Sequence, residues 1–201
     1  MDLILLQPGD PSLFSKGADP NSWDKGGSLI DVSAWKEVGG EVDDTLKGLN
    51  GTLAIELVSV HQGIKQQMTT DVSNSARTSG RPVVTEFTCV KYVDKLSVKF
   101  FDLCLRAKPM GAGKEQPTMI HIMRNSGDKT ANILTMALRD AMISEIQFQS
   151  NPDDMPTEQF KLNFTEILWK YTVQRADTVT AGVVPAGWSI ARNRPIGGFT
   201  D

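Results

Sequence analysis

Apolar and polar residues alternate at Leu53, Ile55 and Leu57 against Ala54, Glu56 and Val58, a period of two with β-branched enrichment, and this predicts a strand that ends near His61. Val83, Thr85, Phe87 and Cys89 alternate with Val84, Glu86 and Thr88 in the same way, so Phe87 and Cys89 share the inward face of a second strand. The period then changes. Between Leu96 and Ala107, Val98, Phe101 and Leu105 fall at helical spacing with Phe100 and Cys104 beside them, while Lys99, Asp102 and Arg106 gather opposite. A helix over about 95–107 is predicted, its Phe-rich stripe anchored by Phe101 on a sheet. Asp94 or Ser97 caps its start, and Pro109 with Gly111 closes its end.

Three further strands are predicted at Thr118–Arg124, Asn132–Arg139 and Met142–Gln149, separated by the Asn125-Ser-Gly-Asp turn and a reversal near Asp140, which is a β-meander pattern. Farther on, Phe160, Leu162 and Phe164 keep one parity and Ile167, Trp169, Tyr171 and Val173 the other. A regular pleat cannot place both sets on one face. A β-bulge or sharp bend near Thr165 and Glu166 restores the register, and such features bend sheets toward closure.

Two stretches lack such periods. Residues 1–50 are interrupted by Pro8, Pro11, Gly17, Pro20, Gly26, Gly27, Gly39 and Gly40, and read as strands joined by irregular loops. Residues 62–82 are rich in Ser, Thr, Gln, Asn and Gly and read as one extended loop. Structureless loops longer than about 12–15 residues are uncommon in compact domains and are usually functional or disordered. A loop that cannot contribute to a core and is too long to join neighbouring strands is expected to work between subunits, with Gln66, Gln67, Asp71, Arg77 and Arg81 supplying polar contacts at the interface. The expected fold is therefore mainly β: a small closed or nearly closed β-barrel over residues 1–175, one short α-helix on its side, a long extended loop, and a C-terminal extension over 176–201.

Length and composition narrow the function more than the fold. A chain of 201 residues with 40% apolar and 22% charged residues suits one globular domain. Its formal charge of -3 offers no basic stripe for phosphates, so neither nucleic acid nor an anionic membrane is the expected partner. The opening Met-Asp-Leu-Ile-Leu-Leu-Gln-Pro does not resemble a signal peptide, and no apolar run approaches the roughly 20 residues that span a bilayer, so a cytoplasmic start without membrane insertion is expected. Cys89 and Cys104 have neither a disulfide framework nor zinc-ligand spacing and read as reduced core thiols.

Candidate chemistry is sparse. His61 and His121 sit in no catalytic or metal-binding motif, and His121, between Met119 and Met123, reads as a hydrogen-bonded, partly buried histidine. Gly111-Ala-Gly-Lys114 lacks the earlier glycine and the following Ser or Thr of a phosphate loop, and reads as a plain turn. Asp43-Asp44 and Asp153-Asp154 read as solvated loop charge, and there is no Gly-x-Ser-x-Gly elbow. No enzyme activity, metal or cofactor is expected.

The stretch Phe87-Thr-Cys-Val-Lys-Tyr-Val-Asp-Lys95 entering a helix, the segment Pro156-Thr-Glu-Gln-Phe-Lys-Leu-Asn-Phe-Thr-Glu-Ile-Leu-Trp-Lys-Tyr171, and Ala186-Gly-Trp-Ser-Ile-Ala-Arg-Asn193 together resemble the Hcp (haemolysin-coregulated protein) family of the type VI secretion system. The resemblance spans roughly residues 83–193. It implies a small β-barrel with a helix on its side, copies closing into a hexameric ring, and rings stacking into a hollow inner tube that a contractile sheath expels. It also implies partners: further copies of the chain, the spike protein VgrG, sheath and baseplate components, and effectors sheltered in the lumen. Assembly would be cytoplasmic, followed by secretion to the exterior or a target cell. The alternatives are a β-barrel module binding a carbohydrate or other small molecule, for which few tryptophans remain outside the matching segments, an enzyme, and a tube subunit fused to a toxin, which the short tail disfavours.

Overall fold

The structure, a computed structural model, describes residues 2–10, 13, 29–31, 53–70, 77–125, 130–174 and 180–201. Along the chain run β1 (Asp2–Gln7), β2 (Leu29–Asp31), β3 (Leu53–Leu57), β4 (Ser59–His61), β5 (Ile64–Lys65), β6 (Met68–Thr70), β7 (Arg77–Ser79), β8 (Val83–Val84) and β9 (Phe87–Tyr92). Helix α1 (Ser97–Leu105) follows, then β10 (Thr118–Asn125), β11 (Thr130–Arg139), β12 (Met142–Gln149), β13 (Thr157–Asn163), β14 (Glu166–Gln174), β15 (Thr180–Ser189) and β16 (Arg194–Pro195).

Two sheets share one core. The larger has the order β16-β15-β14-β11-β10-β1-β3-β2 and the smaller β12-β13-β9-β4. Alternation fills the space between them: Phe87 and Cys89 of β9 and Phe160 and Leu162 of β13 are buried, facing a cluster that includes Leu6, Ile55, Ile120, Leu138 and Ile167 of the large sheet. The apolar run at the start of the chain becomes β1, which pairs antiparallel with both β10 and β3, and its successive Leu5 and Leu6 are each wholly buried. A strand covered on both faces reads as a continuous apolar run rather than as an alternation.

The parity change between Phe164 and Ile167 is a corner. Here the chain leaves β13 in the small sheet and enters β14 in the large one, and Thr165 sits in the bend, its N–H donating to the Arg139 carbonyl at 3.1 Å. Nearby, the chain crosses from β11 to β12 through Asp140, whose φ of 51° is left-handed, a conformation Asp tolerates better than most residues. The expected barrel closure is corrected: among the described residues the ladders around the core form two separate sheets, with β2, β16, β4 and β12 at their edges. A bend that rescues parity also arises when a strand switches layers, so parity alone does not distinguish a corner from a closed ladder.

Helix α1 forms where predicted, but the buried stripe is a different one. Phe100 and Leu103 are wholly buried, whereas Val98 and Leu105 are 66% and 87% exposed and Phe101 is only half-buried. Apolar residues occupy most of the helix circumference, so spacing permits two stripes. Contact decides between them: the Phe100 ring meets Phe160 edge-on with centroids 4.9 Å apart. Ahead of the helix, the Asp94 carboxylate accepts the Leu96 N–H at 2.8 Å, and Ser97 Oγ accepts the Asp94 N–H at 3.0 Å.

The stretch read as an extended loop is also corrected. The described residues of this stretch form a ribbon in which β5 pairs with β8 and β6 with β7. Ile64, Lys65, Met68 and Val83 are exposed and only Val84, at the root, packs against the core, so β5 to β7 carry no alternation in the sequence. Residues from Thr180 onward, read as an extension, run as β15 against β14 and β16 against β15 within the large sheet. The Asn125-to-Asp128 turn lies largely outside the described residues, as do Asp43 and Asp44.

Candidate functional site: the projecting arm and the charge clusters around it

The ribbon is an arm with a stitched root. Thr85 Oγ1 accepts the Gly63 N–H at 2.8 Å and donates to the Gly63 carbonyl at 2.9 Å, and the Thr85 N–H donates to that same carbonyl at 2.9 Å. Farther out, the Gly80 N–H donates to the Gln67 carbonyl at 3.0 Å and the Gln66 side chain donates to the Gly80 carbonyl. Of the five residues expected at an interface, Gln66, Gln67 and Arg81 are exposed, Arg77 lies on β7 opposite Thr70, and Asp71 falls outside the described residues. Arg81 has a partner within the subunit, its Nη2 donating to the Ile190 carbonyl at 2.7 Å.

Beside the arm root, a cleft is lined by His61, Gln62, Thr85, Glu86, Thr88 and Lys161. Among the described residues its lining holds no Phe, Tyr or Trp, the side chains on which a sugar ring stacks best. Lys161 is held by Glu145, and Asn163 Nδ2 donates to Glu86 at 2.7 Å.

The charged residues of the motifs converge under α1. Lys91 of β9 stands opposite Glu158 of β13, and both side chains are wholly buried. The Lys91 ammonium donates to the Tyr92 carbonyl at 2.8 Å, the Asp94 carboxylate at 2.9 Å and Ser97 Oγ at 3.3 Å. These acceptors occupy its three protons. Glu158 Oε1 lies 2.9 Å from the same nitrogen as an ion pair, and among the described residues neither of its oxygens accepts a hydrogen bond. The cluster ties the helix start to two strands, which gives Lys91, Asp94 and Glu158 a structural role. Spacing in sequence does not show that these residues meet.

His121 is a second buried polar centre. Its Nδ1 lies 3.1 Å from both Thr135 Oγ1 and Asn132 Nδ2, and its Nε2 lies 3.2 Å from Gln7 Oε1. Because an amide oxygen only accepts, Nε2 carries the proton of the neutral ring. Burial pulls the imidazole pKa down to about 4. Burial likewise pushes the Cys89 thiol up to about 12, and Cys89 and Cys104 are both free. Among the described residues, no group of three or more His, Cys, Asp or Glu is placed to hold a metal, and no helix is long and apolar enough to cross a membrane.

A third cluster was not anticipated. Arg139 stands opposite Glu166 in the β11–β14 ladder, with Nη1 donating to Glu166 Oε2 at 3.1 Å. Thr200 donates its N–H to Glu166 Oε2 at 2.9 Å and its hydroxyl to Oε1 at 2.6 Å, and the Arg139 guanidinium donates back to the Thr200 carbonyl. Burial alone would raise the Glu166 pKa, but the hydrogen bonds from Thr200, Ser189 and Arg139 outweigh it and bring the carboxyl down to about 2.

These features define a two-layered β protein with a side helix and a projecting two-stranded arm. A family model described as "Type VI secretion system effector, Hcp" matches residues 34–171, and the chain belongs to this family. Protein hcp1 of Pseudomonas aeruginosa is 27% identical over 113 residues, which cover 55% of this chain and 66% of that relative, just under two thirds of its length. Among solved structures, one described as a type six secretion system protein superposes with a TM-score of 0.63 at 20% identity, over 71% of this chain and 86% of that one. Hcp1 from Salmonella typhimurium aligns over 97% of this chain and 99% of its own, with a TM-score of 0.59 at 15% identity. A type VI secretion system effector from Yersinia pestis aligns over 92% and 98%, with a TM-score of 0.54 at 15% identity. At these identities the structures speak for the fold alone.

Proposed function

We propose that the protein is a structural subunit of the type VI secretion inner tube rather than an enzyme. Copies close into a hexameric ring, rings stack into a hollow tube, and a contractile sheath expels it with effectors held in the lumen. A ring uses heterologous contacts, and the same kind of contact without closure extends a stack into a filament. The observation that carries this reading is the arm. Its root is stitched by Thr85, its faces expose Ile64, Met68 and Val83, and it makes no core of its own. An ordered ribbon of this kind is suited to a neighbouring copy, with Gln66, Gln67, Asp71, Arg77 and Arg81 contributing polar contacts that set register. VgrG, the sheath and the baseplate are the further partners, neither nucleic acid nor membrane insertion is involved, and the subunit assembles in the cytoplasm before it is secreted.

Replacing residues 66–78 with a short Gly-Ser linker tests the reading. The expected product folds with near-normal thermal stability but stacks poorly under the electron microscope and is exported at a reduced level. Normal tubes and normal export from the shortened protein would make the arm a passive connection and overturn this account.

A further inference from the structure

The arm and the last residues of the chain meet at a single turn. Ile190 follows β15, and its carbonyl accepts the Arg81 guanidinium from the arm at 2.7 Å. On the other side its N–H donates to the Thr165 carbonyl at 3.0 Å, at the corner where Thr165 is itself bonded to Arg139 and Asp140. The flanking Ser189 is wholly buried, hydrogen-bonds Glu166, and accepts the Arg192 N–H at 3.3 Å. Arg192 reaches the other way, with Nη2 on the Asp201 carbonyl at 2.9 Å. The side of this turn that carries the Ile190 carbonyl therefore faces the arm, while Ser189 and the Arg192 guanidinium face the socket that holds Thr200 and Asp201, and the Ile190 N–H ties the turn to the corner at Thr165.

The turn is also poorly able to yield independently. The Ile196 N–H donates to the Gly187 carbonyl at 3.1 Å, and a Cβ at Gly187 would stand 2.6 Å from the Ile196 carbonyl and 2.5 Å from the Leu168 side chain. Such an approach leaves little slack between β15 and the returning chain. By contrast, Gly197 and Gly198 have open space around them, so the segment carrying Thr200 can leave the socket without a steric clash at these positions.

We propose that the Ser189–Arg192 turn couples the two: with Thr200 seated between Glu166 and Arg139 the turn is held and Arg81 fixes the arm, and with Thr200 released the arm is freed to swing. The linkage is intramolecular, so it holds whether or not copies of the chain assemble. Coupling of this kind requires an element whose state both sites bias, and the turn is that element.

Amide hydrogen exchange on the full chain reads it directly, at the arm amides Gly63, Gly80 and Thr85 and, as a control, along the β10–β11 ladder. In the Glu166→Gln/Thr200→Val variant, which removes the charge and hydroxyl of the socket together, the arm amides are expected to exchange several-fold faster while the ladder amides are unchanged. In an Arg81→Met background the same pair of changes should add nothing. Arm exchange that is unchanged, that rises together with the ladder, or that rises equally without Arg81 would each overturn the coupling.

Discussion

Lys91–Glu158 and Arg139–Glu166 occupy equivalent stations, each a cation standing directly across an antiparallel ladder from a glutamate, yet they are held by different physics. In the first, both side chains are wholly buried, the ammonium gives its protons to Tyr92, Asp94 and Ser97 and lies 5.6 Å from the Phe100 ring centre, and Glu158 accepts no hydrogen bond among the described residues. Glu158 therefore depends on the nearby positive charge in a low-dielectric interior. In the second, the arginine is partly exposed and the carboxylate is ringed by donors from Thr200, Ser189 and Arg139. The lesson is that an ion pair's worth is set by where its remaining lone pairs and protons go. A buried carboxylate without such donors depends on the neighbouring charge.

The largest effect expected from this contrast is in the buried pair. Lys91→Met should cost about 3–5 kcal/mol in urea unfolding, because it strands a buried carboxylate, while Lys91→Met with Glu158→Leu should recover much of that loss. A single variant within about 1 kcal/mol of the parent would mean that Glu158 finds donors elsewhere, and the two pairs would then be alike.

The second effect is read by pH and concerns Glu166 of the second pair. Glu166 has a folded pKa of about 2, below its ordinary 4.5, so between those values the unfolded chain binds a proton that the folded chain does not. Its stabilisation, on the order of 3 kcal/mol, is complete above pH 4.5 and is lost as the pH falls toward 2. His121 loses stabilisation in a different window. It stays neutral when folded, with its pKa lowered from 6.5 to about 4, so its contribution declines as the pH falls from 6.5 to 4 and then levels off. Glu166→Gln should make the lower limb of a stability–pH curve shallower, since other paired carboxylates such as Glu145 and Asp201 share that limb, and leave the upper one. A lower limb of unchanged steepness would show that the socket hydrogen bonds do not hold the Glu166 proton off.

The smallest effect belongs to the rim of the same socket. Lys114 pairs with Asp201, but both are well exposed, so Lys114→Ala should leave the unfolding midpoint where it was. A measurable drop would mean that the rim is shielded from water and that the socket is as closed as the buried pair.

The elements with one buried face were legible in the chain. The β9 strand, β10 to β12 and the corner near Thr165 are all visible as period two or as its interruption, since burying one face of a pleat imposes that pattern. Membership of the Hcp family was legible from the Lys91–Asp94 and Pro156–Glu158 segments and their order along the chain. Strands β5 to β7 of the arm were not, because short strands with exposed residues carry no periodic signal, and the helix stripe was misassigned because apolar residues occupy most of the circumference of α1. The Arg139–Glu166–Thr200 socket was hidden for a third reason: its members lie far apart in sequence and none belongs to a motif.

Local sequence thus determined where strands and the helix form, since alternation and spacing are properties of neighbouring residues and the burial each must satisfy. Only the tertiary structure decided which apolar stripe of α1 goes inward, that Lys91 and Glu158 neutralise one another, and that the ladders end as two sheets instead of closing. Those outcomes depend on contacts between segments distant in the chain, where Phe100 meets Phe160 and where the chain changes layer at Thr165, and no local pattern encodes the partner across the gap.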